Sequence, residues 1–120
     1  LSQSSYRPQA MPGLQLTSSE DGGTTRVAVS GELDIASCGQ LDDELKRVET
    51  GGPDVLVIDL RETSFIDSSG LRTLIAADSR AEERGGKLQI VRGPKAVERV
   101  FDATGLDKRF EIVDAPPASA

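Results

Sequence analysis

Asp67, Ser68, Ser69 and Gly70 stand in a row in a chain that contains no histidine. Two adjacent hydroxyls beside a carboxylate can attack a substrate, cap a helix, or receive a phosphoryl group from another enzyme. The first use is poorly supplied. A Ser-His-Asp triad needs an imidazole to take the serine proton, and there is none. The elbow pattern Gly-x-Ser-x-Gly fails as well, because Ile66 or Asp67 stands where its first glycine belongs. Lys46, Lys87, Lys95 and Lys108 lie outside the string, so a Ser-Lys pair would need folding alone to build it. Catalytic residues are therefore not expected, and the chain reads as a non-enzyme. Gly85-Gly86-Lys87 lacks the spacing and the Ser or Thr of a phosphate loop and reads as a helix stop. Asp42, Asp43 and Glu44, like Glu82 and Glu83, read as solvated helix faces, so neither a metal nor a cofactor is assigned.

Capping and phosphorylation remain. Asp and Ser at a helix start contribute about 0.5–2 kcal/mol over Ala, and on residue types alone a cap is the plain reading. A helix start also gathers free backbone N–H groups and the positive end of the dipole, which would accommodate a phosphate on an exposed hydroxyl.

The flanking elements fix where this string lies. Val55 to Leu60 has the length and β-branched bias of a strand buried on both faces, whereas Leu71, Leu74, Ile75, Ala77 and Ala81 follow helical spacing. A strand over 55–60, a turn, and a helix over 69–84 follow, with Gly85-Gly86 as its stop and Lys87–Val91 as the next strand. Upstream, Leu14–Thr17 and Thr25–Ser30 predict a hairpin through Glu20-Asp21-Gly22-Gly23 at one sheet edge. Ser37-Cys38-Gly39-Gln40 fits a capping box opening a helix over 37–49, with Leu41, Leu45 and Val48 on one face. Downstream, Pro94 fits the first helical position of a short helix whose inward residues are Val97, Val100 and Phe101. Gly105 and Leu106 predict a Schellman close, and Phe110–Val113 a last strand.

The string Ser64-Phe65-Ile66-Asp67-Ser68-Ser69-Gly70-Leu71 does not stand alone. With Gly31-Glu32-Leu33-Asp34 before it and Phe101-Asp102-Ala103-Thr104-Gly105-Leu106 after it, it resembles the STAS family, in its bacterial anti-sigma factor antagonist branch. The resemblance is continuous from about Leu14 to Val113. It implies a single STAS-like α/β domain over 14–113, a mixed sheet of about five strands with helices packed on it. The segment 1–13 then reads as a flexible extension and 114–120, rich in Pro, Ala and Ser, as a disordered tail.

The resemblance also implies a function and a site. The phosphorylated residue would be Ser68, with Ser69 at a position that is Ser or Thr. Asp67 would shape the kinase-facing site, and Asp34, in a loop formed by Gly31 to Asp34, would lie near it. The partner-binding set is Asp34, Asp67, Ser68, Ser69 and Gly70. The implied partners are an anti-sigma factor that is an ATP-dependent serine kinase, and a phosphatase acting on phosphoserine. The alternative within the same fold is a scaffold or ligand-sensing subunit of a stress-signalling complex.

Composition agrees with a protein-binding role. The 120 residues leave room for one core, which with only four aromatics and no Trp must be built from Val, Leu, Ile and Ala. A net charge of −6 and the lack of a basic stripe speak against nucleic acid. No apolar run approaches the roughly 20 residues of a membrane span, and residues 1–13 lack the apolar stretch of a secretory signal, so a cytoplasmic location is expected. The single cysteine, Cys38, rules out an internal disulfide. The short, polar edge strand near Leu14 suggests a monomer.

Overall fold

The computed structural model describes residues 14–116; the expected extension 1–13 and residues 117–120 of the expected tail lie outside the described residues. The chain runs β1 (Leu14–Asp21), β2 (Thr24–Leu33), α1 (Cys38–Glu49), β3 (Val55–Ile66), α2 (Ser68–Glu83), β4 (Lys87–Val91), α3 (Lys95–Thr104), a 3-10 turn (Leu106–Lys108) and β5 (Glu111–Val113). The strands form one five-stranded sheet in the order β1-β2-β3-β4-β5. β1 and β2 are antiparallel and every later pair is parallel, so the sheet is mixed, as expected. The hairpin turns on Gly22 and Gly23, at φ 57° and 86°. Two successive left-handed residues give the tight turn whose twist matches the flanking strands, and both strands consequently run further towards it than 14–17 and 25–30.

One apolar cluster joins the sheet to all three helices. Val27, Val29, Leu56, Ile58, Leu60, Leu88 and Ile90 meet Leu41 and Leu45 of α1, Leu71, Leu74, Ala77 and Ala81 of α2, and Val97 and Phe101 of α3. Each fully buried leucine or isoleucine contributes roughly 1.5–3 kcal/mol, so this face holds the domain together. Phe101 packs edge to face on Phe110, with ring centroids 5.8 Å apart.

Several local expectations change. β3 does not stop at Leu60 but continues to Ile66, and Gly31 to Leu33 belong to β2 rather than to a loop. The reason is pairing: Ser30 faces Glu62, Gly31 faces Thr63, Glu32 faces Phe65 and Leu33 faces Ile66, past two register shifts. Thr63, polar and therefore read as turn, is fully buried, and its hydroxyl donates to the Val29 carbonyl at 2.9 Å. The capping box of α1 does not form. The Ser37 hydroxyl donates to the Glu32 carbonyl at 2.7 Å, and the Gln40 amide donates to the Leu14 carbonyl at 3.2 Å. Pro94 is the N-cap of α3 rather than its first residue, and its carbonyl accepts from Val97 and Glu98. Gly105 is left-handed as expected, with φ 75°, and its own N–H reaches the Phe101 and Asp102 carbonyls. Asp114, assigned to the tail, is held by Arg92 at 2.9 Å.

Candidate functional site

The long parallel run of β2 beside β3 delivers the Asp-Ser-Ser-Gly string to one end of the sheet. Leu33 pairs with Ile66, and the Asp67 N–H then donates to the Leu33 carbonyl at 3.2 Å. Asp67 keeps extended backbone, φ −118° and ψ −172°, and α2 starts at the next residue. One carboxylate oxygen of Asp67 accepts from the Ser69 N–H at 2.9 Å and the Gly70 N–H at 3.2 Å, while the Asp67 carbonyl accepts from the Leu71 N–H at 3.0 Å. The cap is thus Asp67 alone. The free amides expected to receive a phosphate are already engaged, with only the Ser68 N–H left over among the described residues.

That cap separates the two serines, which residue types could not. Ser68 is exposed, and its hydroxyl makes no hydrogen bond among the described residues. Ser69 is only 8% exposed, and its carbonyl accepts from the Thr73 hydroxyl at 3.1 Å. Gly70 is buried where a Cβ would stand 2.8 Å from Leu33 Cγ, 2.9 Å from Ile66 Cγ1 and 2.9 Å from the Leu33 carbonyl oxygen. Ser69 and Gly70, expected in the partner-binding set, therefore pack the helix start against the strands. Asp67 and Asp34 are half-buried, and Ser68 carries the exposed hydroxyl.

Asp34 holds the turn between β2 and α1. Its carboxylate accepts from the backbone N–H groups of Ala36 and Ser37 at 3.0 and 3.1 Å, and its own N–H donates to the Ser37 hydroxyl oxygen at 3.0 Å. The turn so fixed presents Ile35, 76% exposed, at the same sheet end where Phe65 is 48% exposed; among the described residues these are the exposed large hydrophobics. Ile35 went unnoticed in the sequence and Phe65 figured only as part of the family string. The signal was available: an isoleucine between Asp34 and Ala36 has no strand or helix face to serve.

A buried carboxylate held by two arginines lies elsewhere. Asp59, on the sheet face away from the apolar cluster by strand alternation, is 3% exposed and receives Arg26 at 2.9 Å and Arg61 at 2.7 Å. Burial works against its ionisation, but hydrogen bonds from the Arg61 side chain and backbone and from Arg26 outweigh it, holding the carboxyl below the usual range. Among the described residues no cluster of His, Cys, Asp or Glu could hold a metal ion, and no helix is long and apolar enough to cross a membrane.

The family described as "Mlab, STAS domain" matches residues 16–114. The anti-sigma-B factor antagonist of Bacillus subtilis is 31% identical over 87 residues, covering 72% of this chain and 79% of its own. The chain belongs to the STAS family of anti-sigma factor antagonists. The anti-sigma-F factor antagonist RsfB of Mycobacterium tuberculosis is 28% identical to this STAS domain over 103 residues, covering 86% of the chain and 84% of the relative. Among solved structures, an anti-sigma factor antagonist from Mycobacterium paratuberculosis superposes with a TM-score of 0.79 at 30% identity, over 86% of this chain and 87% of that one. The phosphorylated form of the Bacillus cell fate determinant SpoIIAA shares the fold, with a TM-score of 0.66 at 22% identity over 88% and 93% of the two chains.

Proposed function

We propose that this antagonist binds an anti-sigma factor through the sheet end formed by Ser68, Ile35 and Phe65, and that phosphorylation of Ser68 switches the binding off. The observation that carries the reading is the Ser68 hydroxyl, exposed and spared from capping by Asp67, at the same end of the β2–β3 pair as two exposed apolar side chains. Apolar groups on a rigid rim suit a docking surface, because their burial contributes affinity without ordering a loop. The partner is a serine kinase. Ser68 Oγ attacks the γ-phosphorus of ATP, ADP leaves with the bridging oxygen, and the hydroxyl proton passes to a base of the kinase. A phosphatase reverses this by directing water at the phosphorus, which returns the hydroxyl and inorganic phosphate. Free of phosphate, the domain occupies the anti-sigma factor and the sigma factor is released; the domain itself catalyses nothing, and it acts as a monomer.

The phosphate adds about −1.5 to −2 charges at pH 7 in the middle of this surface, next to Asp67. Desolvating such a group against a partner costs several kcal/mol when no countercharge meets it. Ser68→Ala should therefore bind the cognate kinase as wild type does, and Ser68→Asp should bind at least tenfold more weakly by calorimetry. Equal affinity of the two variants would sink the switch.

A further inference from the structure

Arg72 stands one helical turn after Ser68 and is exposed. Like Arg84 and Arg99, it forms no ion pair or side-chain hydrogen bond among the described residues, whereas Arg26, Arg47, Arg61, Arg80, Arg92 and Arg109 do; of the three it is the one on the helix that begins at Ser68 and within one turn of it. On a helix, positions four apart share a face, and each Cα–Cβ bond tilts towards the N-terminus. From this spacing the guanidinium of Arg72 is within reach of the Ser68 side chain. Apart from the cap Asp67, whose carboxylate is engaged by the Ser69 and Gly70 amides, no acidic residue lies at the start of α2 to hold it there. A positive side chain close to the positive end of a helix dipole is on the unfavourable side of that field, so stability of the unmodified helix does not account for it.

The cap supplies the second half of the argument. Asp67 has taken the Ser69 and Gly70 amides, and the Asp67 carbonyl has taken that of Leu71. A phosphate on Ser68 finds a single spare backbone donor, the Ser68 N–H, in place of a pocket of them. Its other acceptor oxygens need donors from a side chain, and on its own helix the first cation is Arg72.

We propose that Arg72 is the built-in counter-ion of phosphorylated Ser68. Before modification the arginine is a free cation on the partner-facing rim, available to a carboxylate of the anti-sigma factor. After modification it folds back onto the phosphate in a charge-assisted, two-pronged contact of the kind guanidinium groups make with phosphate. One transfer then changes the surface twice: it adds an anion and withdraws a cation. The inference rests on the proposed phosphorylation of Ser68 and extends it to the group that receives the phosphate.

The test needs no partner. Phosphoserine is incorporated at position 68 of the full chain during translation, in the wild-type background and with Arg72→Gln, and the phosphate is titrated by phosphorus NMR. Arg99→Gln, which removes an exposed arginine from α3, serves as the control for overall charge. A pair of this geometry should lower the second pKa of the phosphate, normally about 6, by roughly 0.15–0.4 unit in wild type relative to Arg72→Gln. Arg99→Gln should titrate as wild type. Identical titration with and without Arg72, or an equal shift from Arg99→Gln, overturns the pairing. Either result leaves the partner switch standing, because that is decided by the binding of Ser68→Ala and Ser68→Asp. Equal binding of those two would remove the switch while leaving the titration to report on the pair.

Discussion

Gly70→Ala should destabilise this domain although it replaces a glycine inside a helix. In an open helical position the change is worth up to about 1 kcal/mol in favour of Ala. Here the new methyl would meet Leu33 Cγ at 2.8 Å, Ile66 Cγ1 at 2.9 Å and the Leu33 carbonyl oxygen at 2.9 Å. Carbon atoms in good contact lie about 3.5–4.0 Å apart, so either the leucine and isoleucine shift or the helix start lifts off the strands. Overpacking of this kind costs about 1–3 kcal/mol, and two of the three neighbours are fully or almost fully buried with no room to yield. Net loss should be about 1–2 kcal/mol. Gly39, in the first turn of α1, is the internal comparison, since a Cβ there meets nothing within 4 Å. Gly39→Ala should gain up to about 1 kcal/mol. Urea unfolding with a slope of about 1–3 kcal/mol/M would then move the two midpoints in opposite directions, about 0.3–3 M apart. A Gly70→Ala midpoint at or above wild type would refute the close-approach argument.

Four other outcomes follow from the same geometry. Asp67→Ala should lose about 0.5–2 kcal/mol in urea unfolding because two helix amides lose their acceptor, Asp67→Asn should restore most of that, and Ser68→Ala should change stability by less than about 0.5 kcal/mol. Ile35→Ser and Phe65→Ser should each weaken binding to the anti-sigma factor severalfold in a pull-down or calorimetric titration while leaving the unfolding midpoint nearly unchanged. Asp59→Asn should cost about 1–3 kcal/mol, since Arg26 and Arg61 would converge on a neutral amide. Glu44 is held down to about 2 by its hydrogen bonds with Arg47 and then Ser18. A carboxyl whose folded value is depressed stabilises fully above its unfolded value and loses that contribution as pH falls. The unfolding midpoint should therefore drop from about pH 4.5 towards pH 2, and Glu44→Gln should flatten that slope.

Elements whose pattern is internal to one segment were legible in the sequence. Lys87–Val91 appears as β4 without a change of bounds, and α1 and α2 fall within a residue or so of expectation. What escaped was decided between segments. Arg61 to Ser64 look like turn residues by type, yet Ser30 and Gly31 of β2 pair with Glu62 and Thr63 and the strand continues past two register shifts. Gln40 has the right offset for a capping box, but the Leu14 carbonyl at the sheet edge offers it a partner that local spacing does not reveal. The site behaved likewise. Types and spacing placed Asp67 to Gly70 at a helix start; only the three-dimensional cap distinguished an exposed Ser68 from a buried Ser69. Ile35 carries no motif and became visible through exposure alone.

The Asp67 cap has a consequence for reversibility. Its carboxylate fills the amide cradle that would otherwise draw a phosphate inward. A phosphate on Ser68, if that residue is the one modified, would project from the helix start into solvent and would ask for no refolding on removal. Had the cradle been vacant, each erasure would have required the first turn of α2 to fray, and the clearing of the signal would be limited by the stability of the fold. With it filled, the proposed modification and its removal would be governed by the enzymes that reach the surface, and the domain could pass through many cycles without loosening its own core.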